Sequence, residues 1–215
     1  MKLALHNYWR SSASHRVRIA LALKHVPYEY IAVNLLGHDH QTETYRAKNP
    51  LAQVPTLQVT DASGNMRFLT QSLAIIEFLD ENYPNPPLLP KDRFLRAHTR
   101  ALAEIINAGI QPFQNLTTLA EIKAMGGDDA AWVRGFIERG LSAFARAAAS
   151  HAGEFCVGDA PSLADCCLIP QLASARRLGA ELSSYPQLVE IETRCLALPA
   201  FANAVPQLQP DAVPS

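Results

Sequence analysis

The sequence has no excess of charge of either sign. Its 215 residues carry 19 Lys and Arg against 20 Asp and Glu, which gives a formal net charge of −1 at pH 7. The charges are intermixed, so the chain has no electrostatic attraction to nucleic acid or to acidic lipid. We therefore expect neither nucleic acid nor a membrane among its partners.

Long apolar runs are also missing. No stretch approaches the roughly 18 apolar residues that a membrane-spanning helix needs. The first ten residues, MKLALHNYWR, are interrupted by His6, Asn7 and Arg10, which is not the pattern of a secretory signal peptide. The sequence thus predicts no transmembrane helix and no export signal.

Cysteines are few and form no Cys-x-x-Cys pair; they are Cys156, Cys166, Cys167 and Cys195. Their number and spacing fit neither a disulfide framework nor a zinc site, and the reducing cytoplasm is the simplest location. The segment GHDH, residues 37–40, places two histidines around an aspartate, but no further ligand cluster stands nearby. We expect a polar loop there and no metal.

The first third of the chain predicts short strands and helices in alternation. Strands are expected at LALHNYW, YEYIAVNL, VPTLQVT and MRFLT. Apolar spacing predicts helices over Ser14–Lys24 and QSLAIIEFLDENY, and QTETYRAKNP is a short helical or irregular piece that Pro50 stops. The order β-α-β-α-β-β-α implies a small mixed sheet with helices packed on it.

The segment YPNPPLLP is the best candidate for a linker, because closely spaced prolines cannot lie inside a helix or a central strand. After it, Ala- and Leu-rich segments with helical spacing follow one another: RFLRAHTRALAEIINAGIQPF, DAAWVRGFIERGLSAFARAAAS, SLADCCLIPQLASARRLG and YPQLVEIETRCLAL. We predict an α/β domain over residues 1–83, a linker over 84–90 and an all-helical domain over 91–215. The polar, proline-rich tail PQLQPDAVPS is expected to be loosely held.

Three serines, Ser11, Ser12 and Ser14, stand where a predicted strand meets a predicted helix. A helix N-terminus has free N–H groups and the positive end of the dipole, which stabilise anions and thiolates. A serine hydroxyl at this place can donate to a bound sulfur anion, or it can serve only as the N-cap. This motif alone leaves both uses open.

Two further segments have ligand-binding features. In NPLAQVPTL, a cis bond before Pro55 would expose the backbone of Val54 to an extended peptide; an ordinary edge-strand proline is the alternative. In LTQSLAIIEFL, Gln71 and Ser72 begin a helix whose free N–H groups can bind a carboxylate, unless Ser72 or Thr70 is only an N-cap. Together the three segments favour a ligand with a thiol, an extended backbone and a carboxylate.

These segments resemble the zeta class of the glutathione transferase superfamily, which includes maleylacetoacetate and maleylpyruvate isomerases. SSASHRVRIAL is close to the family motif SSCSxRVRIAL, and NPLAQVPTL and QSLAIIEFL are similar to its glutathione-binding segments. GIQPFQNL, FCVGDAPSLADCCLIPQ and LASARRL resemble zeta-type segments of the helical domain. The resemblance implies an N-terminal thioredoxin-like domain (βαβαββα) followed by a C-terminal helical-bundle domain, usually as a homodimer.

The resemblance also implies glutathione as the cofactor. Ser11 matches the thiolate-activating serine of the family, and Val54 would pair with the cysteinyl backbone. Gln71 and Ser72 would hold the γ-glutamyl carboxylate. The implied glutathione contacts are Ser11, His40, Gln53, Val54, Pro55, Gln71 and Ser72. The implied catalytic residues are Ser11, Ser12 and Arg10.

The implied reaction is cis–trans isomerisation of a maleyl keto acid, maleylacetoacetate, in tyrosine or aromatic-acid breakdown. The thiolate adds to the cis double bond, the resulting single bond rotates, and elimination gives the fumaryl isomer and regenerates glutathione. The acid would be bound by Arg10, Gln111, Asn115 and Arg177, although the sequence does not decide between Arg176 and Arg177. Maleylpyruvate as substrate, conjugation of electrophiles, and a binding module without turnover remain as alternatives.

One position departs from the family motif, since its usual cysteine is Ala13 here. Isomerisation needs the sulfur of glutathione itself, so we do not expect Ala13 to abolish it, but the preference for maleylacetoacetate over maleylpyruvate becomes weaker. Other transferase classes use a tyrosine near the first strand, which makes Tyr8 a rival activator; in this motif the serine is favoured.

Two other motifs are interpreted as structural. Ser162 stands three residues before Asp165 in PSLAD, which is the spacing of a capping box at a helix N-terminus. Arg16 and Arg18 lie off the apolar face of the first helix, and we interpret them as structural or surface charges.

Overall fold

The computed structural model describes residues 1–213 and divides the chain into two compact units. The first unit consists of Met1–Pro87 together with residues 199–213, and the second is Leu88–Leu198. The first division falls inside the linker predicted over 84–90. Residues 199–213 differ from the prediction, because they group with the α/β unit and not with the helical domain expected over 91–215.

The first unit has the predicted order βαβαββα. Its elements are β1 (Lys2–Asn7), α1 (Ser12–Leu23), β2 (Glu29–Ala32), α2 (Glu43–Arg46), β3 (Thr56–Thr60), β4 (Met66–Thr70) and α3 (Ser72–Asn82). The segment GHDH forms the expected loop, which ends in a short 3₁₀ turn, Asp39–Gln41. The pattern is that of a thioredoxin-like domain.

The four strands form one mixed sheet in the order β2-β1-β3-β4. β1 is parallel to β2 and antiparallel to β3, and β3 is antiparallel to β4. Thr56 at the start of β3 lies opposite His6 near the end of β1 and also opposite Thr70 at the end of β4. The three segments that the sequence marks as ligand-binding therefore leave the sheet at the same edge.

Helix α1 is buried on nearly all sides, whereas its sequence predicts a single apolar stripe. It contacts α3 and also α9 (Pro199–Ala202), the short helix that returns to the first unit. As a result every residue from 14 to 21 is buried, including Arg16 and Arg18, which expose only 1% and 2% of their surface. Both arginines are structural, as one of our two interpretations has it, and the surface alternative is wrong.

The tail after α9 is held to the first unit. Gln209 Nε2 donates to the carbonyl of Val205 at 2.9 Å, and a carboxylate oxygen of Asp211 accepts the N–H of Trp9 at 3.1 Å. The expectation of a loosely held tail is therefore wrong as far as Asp211, because it rests on composition and misses these partners. The last two residues of that segment lie outside the described residues.

The second unit is helical. It contains α4 (Arg93–Asn107), a 3₁₀ turn (Gln111–Gln114), α5 (Leu116–Ala124), α6 (Asp129–Ala148), α7 (Leu163–Arg177) and α8 (Pro186–Leu196). Helical spacing predicts all of these helices except α5, which buries none of its residues. Within residues 1–213, no helix combines the length and hydropathy that crossing a bilayer requires.

The predicted capping box at the start of α7 is present. The carboxylate of Asp165 accepts the Ser162 N–H at 2.8 Å and its hydroxyl at 2.7 Å, and it also accepts the N–H of Cys156 at 2.9 Å. Burial raises the pKa of Asp165, and the hydrogen bonds from Cys156 and Ser162 oppose that shift. This carboxylate ties the loop before α7 to the first turn of the helix.

Candidate functional site

Ser11 forms the boundary between the β1–α1 loop and α1. It is the N-cap, with φ −70° and ψ 120°, and its Oγ accepts the N–H of Ser14 at 3.2 Å. No acceptor for its hydroxyl proton is found among residues 1–213, so the same hydroxyl can cap the helix and donate to an anion. Ser12 follows as the first helical residue, and both serines are half-buried.

The loop before Ser11 is well packed. Tyr8 is buried with its ring against that of Trp9, and its carbonyl accepts the Ser11 N–H at 3.0 Å. The guanidinium of Arg10 lies 5.6 Å from the centre of the Trp9 ring. Arg10 is thus a half-buried cation at the residue directly before the N-cap.

The Val54–Pro55 bond is cis, which is the first of the two alternatives that the sequence leaves open. The preceding carbonyl, that of Gln53, accepts two hydrogen bonds of 2.7 Å, from the Tyr45 hydroxyl and from Asn49 Nδ2. The backbone N–H and C=O of Val54 have no partner in the part of the chain that the structure describes. The loop is therefore fixed from behind while the Val54 backbone stays open to a ligand.

The third segment is the start of α3. Gln71, the residue before the helix, has φ +71°, which a non-glycine residue rarely adopts and which often accompanies function. Ser72 is buried, and its Oγ accepts a hydrogen bond of 3.1 Å from Nη1 of Arg16. A buried guanidinium therefore adds positive charge to the helix N-terminus at which the sequence predicts a carboxylate.

The structure brings these three segments together. They leave the sheet at one edge, and the bond between Arg16 and Ser72 joins the first turns of α1 and α3. The 3₁₀ turn that holds His40 follows β2, whose last residue pairs with Asn7 of β1 at the same edge. Burial lowers the pKa of His40, and its Nδ1 finds no partner within the described chain.

In the second unit, the predicted acid-binding residue Gln111 begins the 3₁₀ turn, and Asn115 directly follows it. Both are half-buried, and Asn115 precedes α5 without using its side chain as a cap. The turn is attached to α7, because the amides of Gln114 and Gln171 exchange two hydrogen bonds of 3.1 and 3.0 Å. Gln171 is almost completely buried, so this attachment is well defined.

Of the two arginines at the end of α7, Arg176 is paired with a carboxylate of α8. Both terminal nitrogens of Arg176 donate to the carboxylate of Glu192 at 2.5 Å, and this hydrogen bonding raises the pKa of Arg176. Arg176 is therefore committed to α8. Arg177, exposed at the last position of α7, remains the residue predicted to bind the acid.

Sequence reasoning missed the residues that support the site from behind, namely Arg16, Tyr45 and Asn49. Arg16 has a signal that could have revealed it, since RVRIALAL contains two arginines, no acidic residue and otherwise only apolar residues. Such a buried cation needs a partner from elsewhere in the fold. For Tyr45 and Asn49 the sequence offers no comparable signal.

Two family models match the chain. The model of the glutathione S-transferase N-terminal domain covers residues 5–87, and that of the C-terminal domain covers residues 129–202. A curated relative, maleylacetoacetate isomerase of Dictyostelium discoideum, is 41% identical over 99% of this chain and 97% of its own length.

Solved structures are similar over almost the whole chain. Maleylacetoacetate isomerase from Anaeromyxobacter dehalogenans 2CP-1, with glutathione bound in its active site, is 48% identical and superimposes with a TM-score of 0.91, covering 99% of this chain and 98% of that one. A bacterial maleylpyruvate isomerase, described as a zeta-class glutathione S-transferase, is 42% identical with a TM-score of 0.91, over 98% and 100% of the two chains.

Proposed function

The chain belongs to the zeta class of the glutathione transferases, and on that premise we propose that it isomerises a maleyl keto acid, maleylacetoacetate, with glutathione as cofactor. The observation that carries the proposal is the convergence of Ser11, the open backbone of Val54 and the Arg16–Ser72 pair at one edge of the sheet. They match the thiol, the peptide backbone and a carboxylate of glutathione.

The proposed role of Ser11 is to stabilise the thiolate. A free thiol has a pKa of about 8.5, so only a small fraction is ionised at neutral pH. A hydroxyl donor and the N-terminus of α1 both favour the anion. Lowering the thiol pKa by about one unit corresponds to ~1.4 kcal/mol, which one charge-assisted hydrogen bond and the dipole can supply together.

The proposed chemistry leaves glutathione unchanged. The thiolate sulfur forms a bond to one carbon of the cis double bond, and the displaced electron pair moves onto the conjugated carbonyl oxygen. The former double bond is now single and rotates; the electron pair then returns, the trans double bond forms and the carbon–sulfur bond breaks. The acid neither gains nor loses an atom, and only the geometry of its double bond changes.

We propose that Arg10 binds a carboxylate of the acid, and that Gln111, Asn115 and Arg177 are further ligands of the acid. An arginine can hold a carboxylate with two parallel hydrogen bonds, which fixes the orientation of the double bond relative to the sulfur. Within the second unit, the Gln114–Gln171 pair would keep Gln111 in place for that role.

We further propose a cytoplasmic homodimer acting in tyrosine or aromatic-acid breakdown. All four cysteines are buried thiols outside any disulfide, which suits a reducing compartment. Maleylpyruvate is the second candidate substrate, because Ala13 replaces the cysteine of the family motif and because a maleylpyruvate isomerase is similar to the chain at 42% identity.

The test is to follow the absorbance of maleylacetoacetate and of maleylpyruvate over time, with and without glutathione. Glutathione-dependent loss of the cis acid supports the isomerase, and the larger kcat/KM identifies the preferred acid. If both acids remain unchanged while a chloronitrobenzene forms a stable adduct, the isomerase proposal is wrong and the protein conjugates electrophiles.

Replacing Ser72 with Ala is expected to raise the KM for glutathione about 10-fold and to change kcat less than about threefold. The substitution removes a hydroxyl at the proposed carboxylate site, where a hydrogen bond to a charged group contributes about 1.5–3 kcal/mol, but it does not alter the thiolate donor. Initial rates over a range of glutathione concentrations measure both constants. Ser184→Ala, at an exposed serine of the second unit, is the control; an unchanged KM in Ser72→Ala would refute the role of Ser72.

A further inference from the structure

The segment after α9 reaches back to the loop that precedes the catalytic serine. One carboxylate oxygen of Asp211 accepts the backbone N–H of Trp9 at 3.1 Å, and the other accepts the hydroxyl of Tyr30 in β2. Burial and the hydrogen bond to Asp211 raise the pKa of Tyr30, so its phenol stays protonated as the donor. Asp211 thereby connects the loop to the sheet.

Arg18 also holds this loop, through its backbone carbonyls. Its Nη2 donates to the Trp9 carbonyl at 3.0 Å, and its Nη1 donates to the Tyr8 carbonyl at 3.4 Å and to Asn7 Oδ1 at 3.1 Å. Its Nε and Nη2 both donate to the carbonyl of Ala204 at 3.2 Å. Burial lowers the pKa of Arg18 to about 10, which still leaves it charged at neutral pH.

The peptide groups of Trp9 are thus fixed at both ends. Asp211 holds its N–H and Arg18 holds its carbonyl, while the Tyr8 carbonyl accepts the N–H of Ser11 at 3.0 Å. Ser11 follows Trp9 by two residues, with Arg10 between them. A shift of Trp9 would therefore move both the hydroxyl proposed for the thiolate and the guanidinium proposed for the acid.

We propose that Asp211 is a positioning residue for the reaction, which acts through the Trp9 N–H to set the position of Ser11. The proposal rests on the proposed function and adds a residue that touches neither glutathione nor the acid. Reacting groups must be held within about 0.5 Å of their productive positions, and small displacements lower the rate steeply. Loss of the Asp211 bond releases one end of the loop without removing any ligand-binding group.

The test compares Asp211→Ala with Asp211→Asn. The alanine variant is expected to raise the pKa of the bound glutathione thiol by about one unit and to lower kcat about 10-fold, with the affinity for glutathione within about twofold. The asparagine variant keeps an oxygen that can accept the Trp9 N–H and is expected to recover most of both effects. The thiolate absorbance of the glutathione complex as a function of pH gives the thiol pKa directly.

Gln209→Ala is the matched control. The Gln209 side chain donates to the carbonyls of Asn203 and Val205, so its loss loosens the same segment without touching the loop at Trp9. We expect this variant to keep the wild-type thiol pKa and kcat, with at most a lower melting temperature. Equal effects in Gln209→Ala and Asp211→Ala would overturn the proposal in favour of general destabilisation.

Two other results would also overturn it. One is an unchanged thiol pKa and kcat in Asp211→Ala with only a lower melting temperature; the other is no recovery in Asp211→Asn.

If the alanine variant does not fold, Tyr30→Phe replaces it, because this substitution removes the second partner of Asp211. It should produce a smaller shift of the thiol pKa in the same direction, and no shift would count against the proposal. Because the thiol pKa needs no acid substrate, the result stands apart from the isomerase assay, whose failure in the wild type concerns only the proposed function.

Discussion

Ser11→Ala is expected to lower kcat for isomerisation about 100-fold and to leave the KM for glutathione within about threefold. Removing one donor from a developing or bound anion typically costs 10²–10³ in rate, which sets the scale. The substitution removes the hydroxyl but keeps the Val54 backbone and the Arg16–Ser72 pair, so binding is largely retained. Steady-state rates give kcat and KM, and the pH dependence of the thiolate absorbance gives the ionisation of the bound thiol.

Two variants separate the thiolate role of Ser11 from its role as N-cap, whose loss by itself costs about 1 kcal/mol of stability. Ser11→Thr keeps both the hydroxyl and the cap and should stay active. Asp92→Ala removes the N-cap of α4, where Asp92 accepts the Leu95 N–H at 2.9 Å, and should lower stability without lowering kcat. Full activity in Ser11→Ala would instead assign the thiolate to Ser12 or to the helix amides.

Asp165→Ala is expected to lower the free energy of unfolding by about 3–5 kcal/mol. The carboxylate is completely buried and accepts two backbone N–H groups, those of Ser162 and Cys156, and the Ser162 hydroxyl. Its removal leaves these donors buried without a partner, which is more costly than the loss of an ordinary cap. Denaturant unfolding measured at equilibrium gives the change directly.

Asp128→Ala is the control for Asp165, because it removes the same side chain, also a hydrogen-bond acceptor, from the N-terminus of another helix. Asp128 is the exposed N-cap of α6 and accepts the Ala131 N–H at 2.9 Å. Water can replace that bond, so we expect a loss of only about 1 kcal/mol. Similar losses of unfolding free energy in the two variants would show that the buried hydrogen bonds of Asp165 contribute no more than an exposed cap.

Local patterns in the sequence predict the order of the elements in the first unit, although they miss α5 in the second. Strand propensity, helical spacing and turn residues act over a few positions, and Ser11, Val54 and Ser72 each lie at a boundary between such patterns. The start of α1 was predicted two residues late, at Ser14. Ser11 is the N-cap, so helical structure begins directly after it, before the first apolar residue.

The hydrogen bonds that hold the site in place could not be predicted, because they join residues that are distant in sequence. Arg16 and Ser72 are 56 positions apart, and Trp9 and Asp211 are 202 apart. No periodicity within one segment indicates such a pair. The same reason explains the tail, whose composition suggests looseness while its side chains find partners near the start of the chain.

The most direct measurement supplies a substoichiometric amount of glutathione with an excess of maleylacetoacetate, and follows both the formation of the fumaryl isomer and the concentration of free thiol. The isomerase mechanism predicts conversion of the acid well beyond the amount of glutathione, with the thiol concentration unchanged at the end. Conversion that stops when the glutathione is consumed, or no conversion that depends on glutathione, would contradict it.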